Sequence, residues 1–125
     1  MEQEKIIKLQ GIKEEAEQLE KQLQLINENI SDLNKLNSGL DELKNGNEIL
    51  ANIGRGIYVN AEIKEKKLLV DVGDKNIVKK SFDETKELIS EQLIKIDSIK
   101  SEIINRINNL DKEMNLIIKS IEKNI

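Results

Sequence analysis

The sequence predicts an α+β chain, a long antiparallel two-helix coiled coil with a central insert of two β-hairpins. Three observations predict it. Two proline-free segments of equal length carry apolar residues at alternating steps of three and four, the 3.5-residue average of a coiled-coil seam. The stretch between them changes to the two-residue period of a half-buried strand. Charged residues make up 35% of the 125 residues and aromatic residues only 2%, which suits long helices better than a compact globule filled by aromatic bulk. Read as one domain, the chain divides into an N-terminal helix (1–45), an insert (46–81) and a C-terminal helix (82–125).

In the first segment the stripe runs Leu9, Ile12, Ala16, Leu19, Leu23, Ile26, Ile30 and Leu33. Its next seam position is Asn37, followed by Leu40. A polar residue there either fixes register or marks a loosened coil, and neighbouring Ser38-Gly39 favours the second. The last segment opens with a Ser-x-x-Glu capping box, Ser81 and Glu84, in which side chain and backbone satisfy each other's unpaired groups. Phe82, Ile89, Leu93, Ile96, Ile103, Ile107, Leu110, Met114, Ile117 and Ile121 keep the rhythm, with Lys86 and Lys100 as its charged positions. Each segment is about 44 residues, or roughly 65 Å as a helix. A chain reversal between them sets residue i beside residue ~127 − i, so both seams find apolar partners without a second chain.

Asn45 and Gly46 stop the first helix. Ile57, Val59, Ala61 and Ile63 then alternate with Tyr58, Asn60, Glu62 and Lys64. Leu68, Leu69, Val70 and Val72 form the next strand, ended at Gly73-Asp74. Asn76 to Lys80 reads as another strand, and Glu48 to Ala51 as a weaker one before Gly54-Arg55-Gly56. Two-stranded hairpins are marginal alone in water, and the heptads leave no further helical surface to cover them. The strands are therefore expected to pair with other copies or other subunits, which makes the insert an oligomerisation platform with Ile57, Tyr58, Val59, Ala61, Ile63, Leu68, Val70 and Val72 at its interface.

Catalysis finds no support in these residues. Histidine and cysteine are absent, so the usual nucleophile–base pairs cannot be built, and no thiolate metal site or disulfide framework is expected. Gly54-x-Gly56 lacks the third glycine and following helix of a dinucleotide loop, and Asp71 and Asp74 lack calcium-loop spacing. Gly54, Gly56 and Gly73 are turn glycines. No metal, no cofactor and no enzymatic activity are expected. A net charge of −4 argues against nucleic acid. No apolar run reaches the length of a membrane span, and Met1-Glu2-Gln3-Glu4 does not open a signal peptide. A cytoplasmic protein with no membrane partner is the expectation.

The free ends of the two segments crowd apolar residues: Ile6, Ile7, Leu9 and Ile12 in one, Met114, Leu116, Ile117, Ile118, Ile121 and Ile125 in the other. A two-helix seam uses two positions per heptad, which leaves Ile7, Leu116 and Ile118 in surplus. They either widen the seam or form a contact surface.

From Glu48-Ile-Leu-Ala-Asn-Ile-Gly-Arg-Gly-Ile-Tyr-Val through Leu68-Leu-Val-Asp-Val-Gly73, the chain resembles the alpha class of prefoldin subunits. Gly54, Gly56, Tyr58, Val59, Val70, Asp71, Val72 and Gly73 stand at the places of that family's Gly-x-Gly-aromatic-Val and Val-Asp-Val-Gly strands. Four insert strands separate this class from the beta class, which has one hairpin. One departure is visible: Asn52 replaces the family's proline, and asparagine also suits a turn.

The resemblance implies an ATP-independent chaperone in which six coiled coils hang from a β-barrel platform. Their open ends hold unfolded polypeptides, which makes the ten end residues above the expected client surface. Implied partners are beta-class prefoldin subunits or copies of the chain itself, and a group II chaperonin that receives the client. Two other readings stay open. One is an alpha-class paralogue that self-assembles into homo-oligomers or filaments; the other is a structural coiled-coil adaptor that binds no client.

Overall fold

The computed structural model describes residues 2–123. Helix α1 (Glu2–Asn45) and helix α2 (Phe82–Lys123) flank four strands, β1 (Glu48–Gly54), β2 (Ile57–Glu62), β3 (Leu68–Asp71) and β4 (Ile77–Lys80). The strands form two separate antiparallel hairpins, β1–β2 and β3–β4. The coordinates divide into two compact units, one of residues Ser31–Leu93 and one of the remaining helical residues.

In the helical unit Ile12, Ala16 and Leu110 are buried together, with Leu19, Met114 and Ile117 packed around them. Glu15 receives both the Nε and an Nη of Arg106, at 2.9 and 3.2 Å. This forked geometry raises the guanidinium pKa further, first through the side-chain hydrogen bond. Every apolar seam position named from the sequence is buried or half-buried, as the 3.5-residue spacing requires.

In the other unit Leu40, Phe82 and Ile89 are buried together, with Leu33, Leu43, Leu68 and Leu93 packed against them. Lys44 pairs with Asp83 at 3.0 Å, and Lys86 with Asp41; both pairs keep the register expected from the sequence. Asn37 is half-buried, and its Oδ1 finds no hydrogen-bond partner among the described residues. It makes no register-fixing hydrogen bond, so this layer is a weak one.

The capping box is formed. Ser81 Oγ accepts from the Glu84 backbone N–H at 3.1 Å, and Glu84 Oε1 accepts from the Ser81 N–H at 3.3 Å. Thr85, the buried polar residue of this turn, donates its hydroxyl to the Ser81 carbonyl at 2.8 Å. The backbone hydrogen bond from Ser81 holds the Glu84 carboxyl below the usual glutamate range. The other helix terminus at the insert is closed from outside: Lys66 Nζ donates to the carbonyls of Leu43 (2.8 Å), in the last turn of α1, and of Gly46, just past its end.

Both hairpin turns use a side-chain carbonyl or carboxylate to close. Asn52 Oδ1 accepts from the Gly54 N–H at 2.8 Å, and Asp71 Oδ1 from the Gly73 N–H at 2.9 Å. Asparagine at position 52 thus closes the first turn. The β1–β2 register shifts between Asn52 and Gly54, leaving Ile53 as a bulge. Strand β1 runs three residues past the expected Ala51, and Val72 belongs to the turn rather than the strand, its N–H bonded to Asn76 O.

The helices do cover part of the insert, contrary to the expectation that no helical surface remained for it. Leu68 joins the helical cluster, and Val70 lies half-buried beside Leu33, Leu36 and Leu88. Leu36 and Leu43 supply the extra surface. They stand one heptad apart, one position before Asn37 and Lys44, and widen the apolar stripe to three positions per heptad.

Two outcomes follow for stability. Leu110, 1% exposed, should cost about 2–5 kcal/mol when truncated in Leu110→Ala, whereas exposed Leu25→Ala should stay within about 0.5 kcal/mol; urea unfolding of the two variants compares them. Ser81→Ala should cost about 1 kcal/mol. Because the Glu84 pKa is lowered in the folded state, the stabilisation from its ionised form is complete above the ordinary glutamate range and is lost as pH falls through the folded value. Glu84→Gln should therefore lower stability near neutral pH and lose less than the parent on acidification, measured by unfolding across that pH range.

Candidate functional site

Leu25, Ile94, Ile99 and Ile104 are exposed singly along the helices, and other exposed apolar side chains gather in two sets, one in each compact unit. The first lies where α1 begins and α2 ends. Ile6 and Ile7 are 50% and 67% exposed, and Leu116 and Ile118 are 69% and 36% exposed. Leu9 and Ile121 are half-buried, while Ile12, Met114 and Ile117 belong to the packed cluster. Ile125 lies outside the described residues. The ten expected end residues thus divide into four that face solvent and five that are buried or half-buried, with one not described.

The polar pattern at these ends is the reverse of a sealed coil. Lys5, which continues the seam spacing, is half-buried and donates to Ser120 Oγ at 2.5 Å. A lysine sits inward while two isoleucines beside it sit outward. Burying a lysine stem while its ammonium finds an acceptor is tolerable; leaving isoleucine exposed forfeits burial energy of about 1.5–3 kcal/mol per side chain.

The second set is on the hairpins. The register pairs Ile49 with Ala61 and Ala51 with Val59 on one face of β1–β2; Ile49, Ala51, Ala61 and Ile63 are half-buried and Val59 is exposed. The other face pairs Leu50 with Asn60 and Asn52 with Tyr58, all exposed, as is Ile57. On β3–β4, Leu68 and Val70 face inward, and Leu69 and Ile77 face outward with Val72 exposed at the turn. Of the eight expected interface residues, Ile57, Tyr58, Val59 and Val72 are exposed, and Ala61, Ile63, Leu68 and Val70 are half-buried.

Sequence reasoning missed Leu50, Ile53, Leu69 and Ile77, all exposed on these hairpins. A signal was available: each strand carries apolar residues at odd and even positions, so both faces of each hairpin were marked for burial. These side chains leave apolar area exposed on both hairpins.

Among the described residues there is no group of three or more acidic, histidine or cysteine side chains placed to hold a metal ion, and no helix is long and apolar enough to cross a membrane. The two displaced titratable groups, Glu84 and Arg106, close a helix cap and an inter-helix fork.

Comparison with known proteins agrees with this architecture. A family model described as prefoldin subunit matches residues 12–125. The chain is 32% identical over 114 residues to prefoldin subunit alpha of Thermofilum pendens, covering 88% of this chain and 85% of that one. It is 34% identical over 100 residues to prefoldin subunit alpha of Archaeoglobus fulgidus, covering 76% and 72%. Among solved structures, filamentous prefoldin from Methanocaldococcus jannaschii, determined by cryo-electron microscopy, matches with a TM-score of 0.76 over 88% of this chain and 94% of that one, at 19% identity. The family match runs to the last residue and both of these relatives are alpha subunits, so the chain belongs to the prefoldin family, in its alpha class, and is by family a chaperone subunit.

Proposed function

We propose that the whole chain acts as one prefoldin-like domain, a cytoplasmic, ATP-independent holdase subunit. Its helix ends bind unfolded polypeptide, its hairpins assemble it with beta-class subunits or copies of itself, and its client passes to a group II chaperonin. The observation that carries the client-binding part is the inverted pattern at the helix ends, where Ile6, Ile7, Leu116 and Ile118 face solvent beside an inward Lys5–Ser120 bond. Burial of each such side chain in a client gains about 1.5–3 kcal/mol, and ordering two flexible partners offsets much of it. One subunit binds weakly and exchanges fast, and several together gain avidity. Weak, non-directional contact suits a client that must be released without nucleotide.

Assembly into a filament of copies is a second reading. The exposed faces of both hairpins favour it, together with the likeness in fold to a prefoldin described as filamentous.

Replacing Ile6, Ile7, Leu116 and Ile118 with Ser should weaken suppression of aggregation of a denatured test protein, while light scattering reports the parent assembly size. Undiminished suppression would mean that clients bind elsewhere; no suppression by the parent at near-stoichiometric ratio would favour the structural adaptor. For assembly, Val59→Asp with Ile77→Asp places one charge on each hairpin at sites exposed within the chain. Burying them against a partner costs several kcal/mol each while ionised, on the order of the penalty for any unpaired charge. Sedimentation velocity should show smaller species with the parent's helical dichroism, and parent-sized particles would make the helices the assembling element.

A further inference from the structure

We propose that the turn of the first hairpin, Ile53 to Ile57, is a plug that seats in a groove between α1 and β1 of a second copy of this chain, with Arg55 bonded to Glu42 and Glu48 of that groove. The inference rests on the proposed role of the hairpins in assembly, and adds to it a contact and its direction.

The plug is a tight two-residue turn. Arg55 has φ 51°, between Gly54 at 124° and Gly56 at 76°. A two-residue hairpin turn asks for positive φ at its central residues, as Asp74 and Lys75 also show in the second hairpin, and it sets the Arg55 side chain at the tip. The Asn52–Gly54 hydrogen bond and the Ile53 bulge fix the turn. On either side of Arg55, Ile53 and Ile57 are 68% and 58% exposed. The sequence has two arginines. Arg106 is held by Glu15, whereas the Arg55 guanidinium has no acceptor among the described residues. It is also the one cation between Lys44 and Lys64.

The socket has the complementary chemistry. Leu36, Leu43, Ile49 and Leu50 line a groove of about 550 Å³ that also carries Glu42 and Glu48. Neither carboxylate has an ion pair among the described residues. An apolar groove with two unpaired acids matches an apolar turn with one unpaired arginine, whose fork can engage carboxylates in two-point contact.

A chain cannot fill its own socket. Strand β1 lines the groove at Glu48 to Leu50 and then runs on to the turn, and the seven steps from Glu48 to Arg55 carry the plug roughly 20 Å away at a strand's rise per residue. Plug and socket are different surfaces, so the contact is head-to-tail. Such contacts close into rings where the rotation permits and otherwise extend as filaments.

The test uses the purified full chain in sedimentation velocity across a concentration series. Arg55→Gly suits the positive φ and removes only the side chain, so its helical dichroism should match the parent's while self-association weakens about tenfold or more. Glu42→Lys with Glu48→Lys should weaken it likewise at unchanged helical dichroism. Mixing the Glu42→Lys, Glu48→Lys chain with Arg55→Glu should restore association between the two. The proposal falls if Arg55→Gly assembles as the parent does, if both losses occur without recovery on mixing, or if the parent is monomeric throughout. The first of these, combined with dispersal by Val59→Asp with Ile77→Asp, would overturn the plug alone and leave the hairpins as the assembly surface. Parent-sized particles in all variants would overturn both.

Discussion

The burial of Leu40, Phe82 and Ile89 is the constraint on which the insert depends. Hairpins of four to seven residues per strand cannot hold themselves in water, and here their purchase on the helices is Leu68 against this cluster. The seam is at its poorest beside it, with Asn37, Lys86 and Lys44 in successive layers. Leu36 and Leu43 compensate by turning the apolar stripe toward the strands, and Lys86 and Lys44 turn outward to Asp41 and Asp83. Of the two helix termini that face the insert, one is closed locally by Ser81–Glu84 and the other from the insert by Lys66. Remove the cluster and the Lys66 closure loses the geometry that lets it form, because Lys66 reaches α1 only from a positioned β2–β3 connection.

Electrostatics contributes direction more than energy in this chain. The ion pairs Lys44–Asp83 and Lys79–Glu65 are largely solvated, and pairs of that kind add little to stability. What Lys44–Asp83, Lys86–Asp41 and the Glu15–Arg106 fork do between the helices is discriminate. A slip of one heptad between the helices would leave each of these groups beside a different neighbour, while the apolar seam would tolerate the slip far better. Asn37, whose Oδ1 has no partner among the described residues, works against its layer rather than for it; an unsatisfied acceptor costs about 1–3 kcal/mol.

Much of this was legible in the sequence because periodicity is a local property. The two helices, their facing seam, the Ser81–Glu84 box and four strands follow from spacing over a few residues, and all are present. What was hidden depends on contacts between distant segments. Leu36 and Leu43 looked like ordinary positions outside a two-per-heptad seam, and their purpose emerges only beside Ile49 and Leu68. The Ile53 bulge could not be read from alternation, so Leu50 and Ile53 went unnoticed as outward residues. At the helix ends the reverse happened. Crowding counts Ile12, Met114 and Ile117 with the client surface, yet they pack into the seam where the heptad spacing sets them, and the same spacing leaves Ile7, Leu116 and Ile118 outside it.

The same hydrophobic effect is asked to do two opposite things in the proposed function, and the backbone decides which. Apolar side chains on the hairpins stand on paired strands whose turns are closed by Asn52 and Asp71, so their positions are fixed before a partner arrives and little ordering cost is left for association. Side chains at the helix ends sit within about two turns of the termini, where only one seam restrains them, and an unfolded client brings its own disorder. Each contact there must order both sides. Equal apolar area can therefore give a lasting joint on one surface and a passing grip on the other, and this difference lets a chaperone stay assembled while it lets its client go.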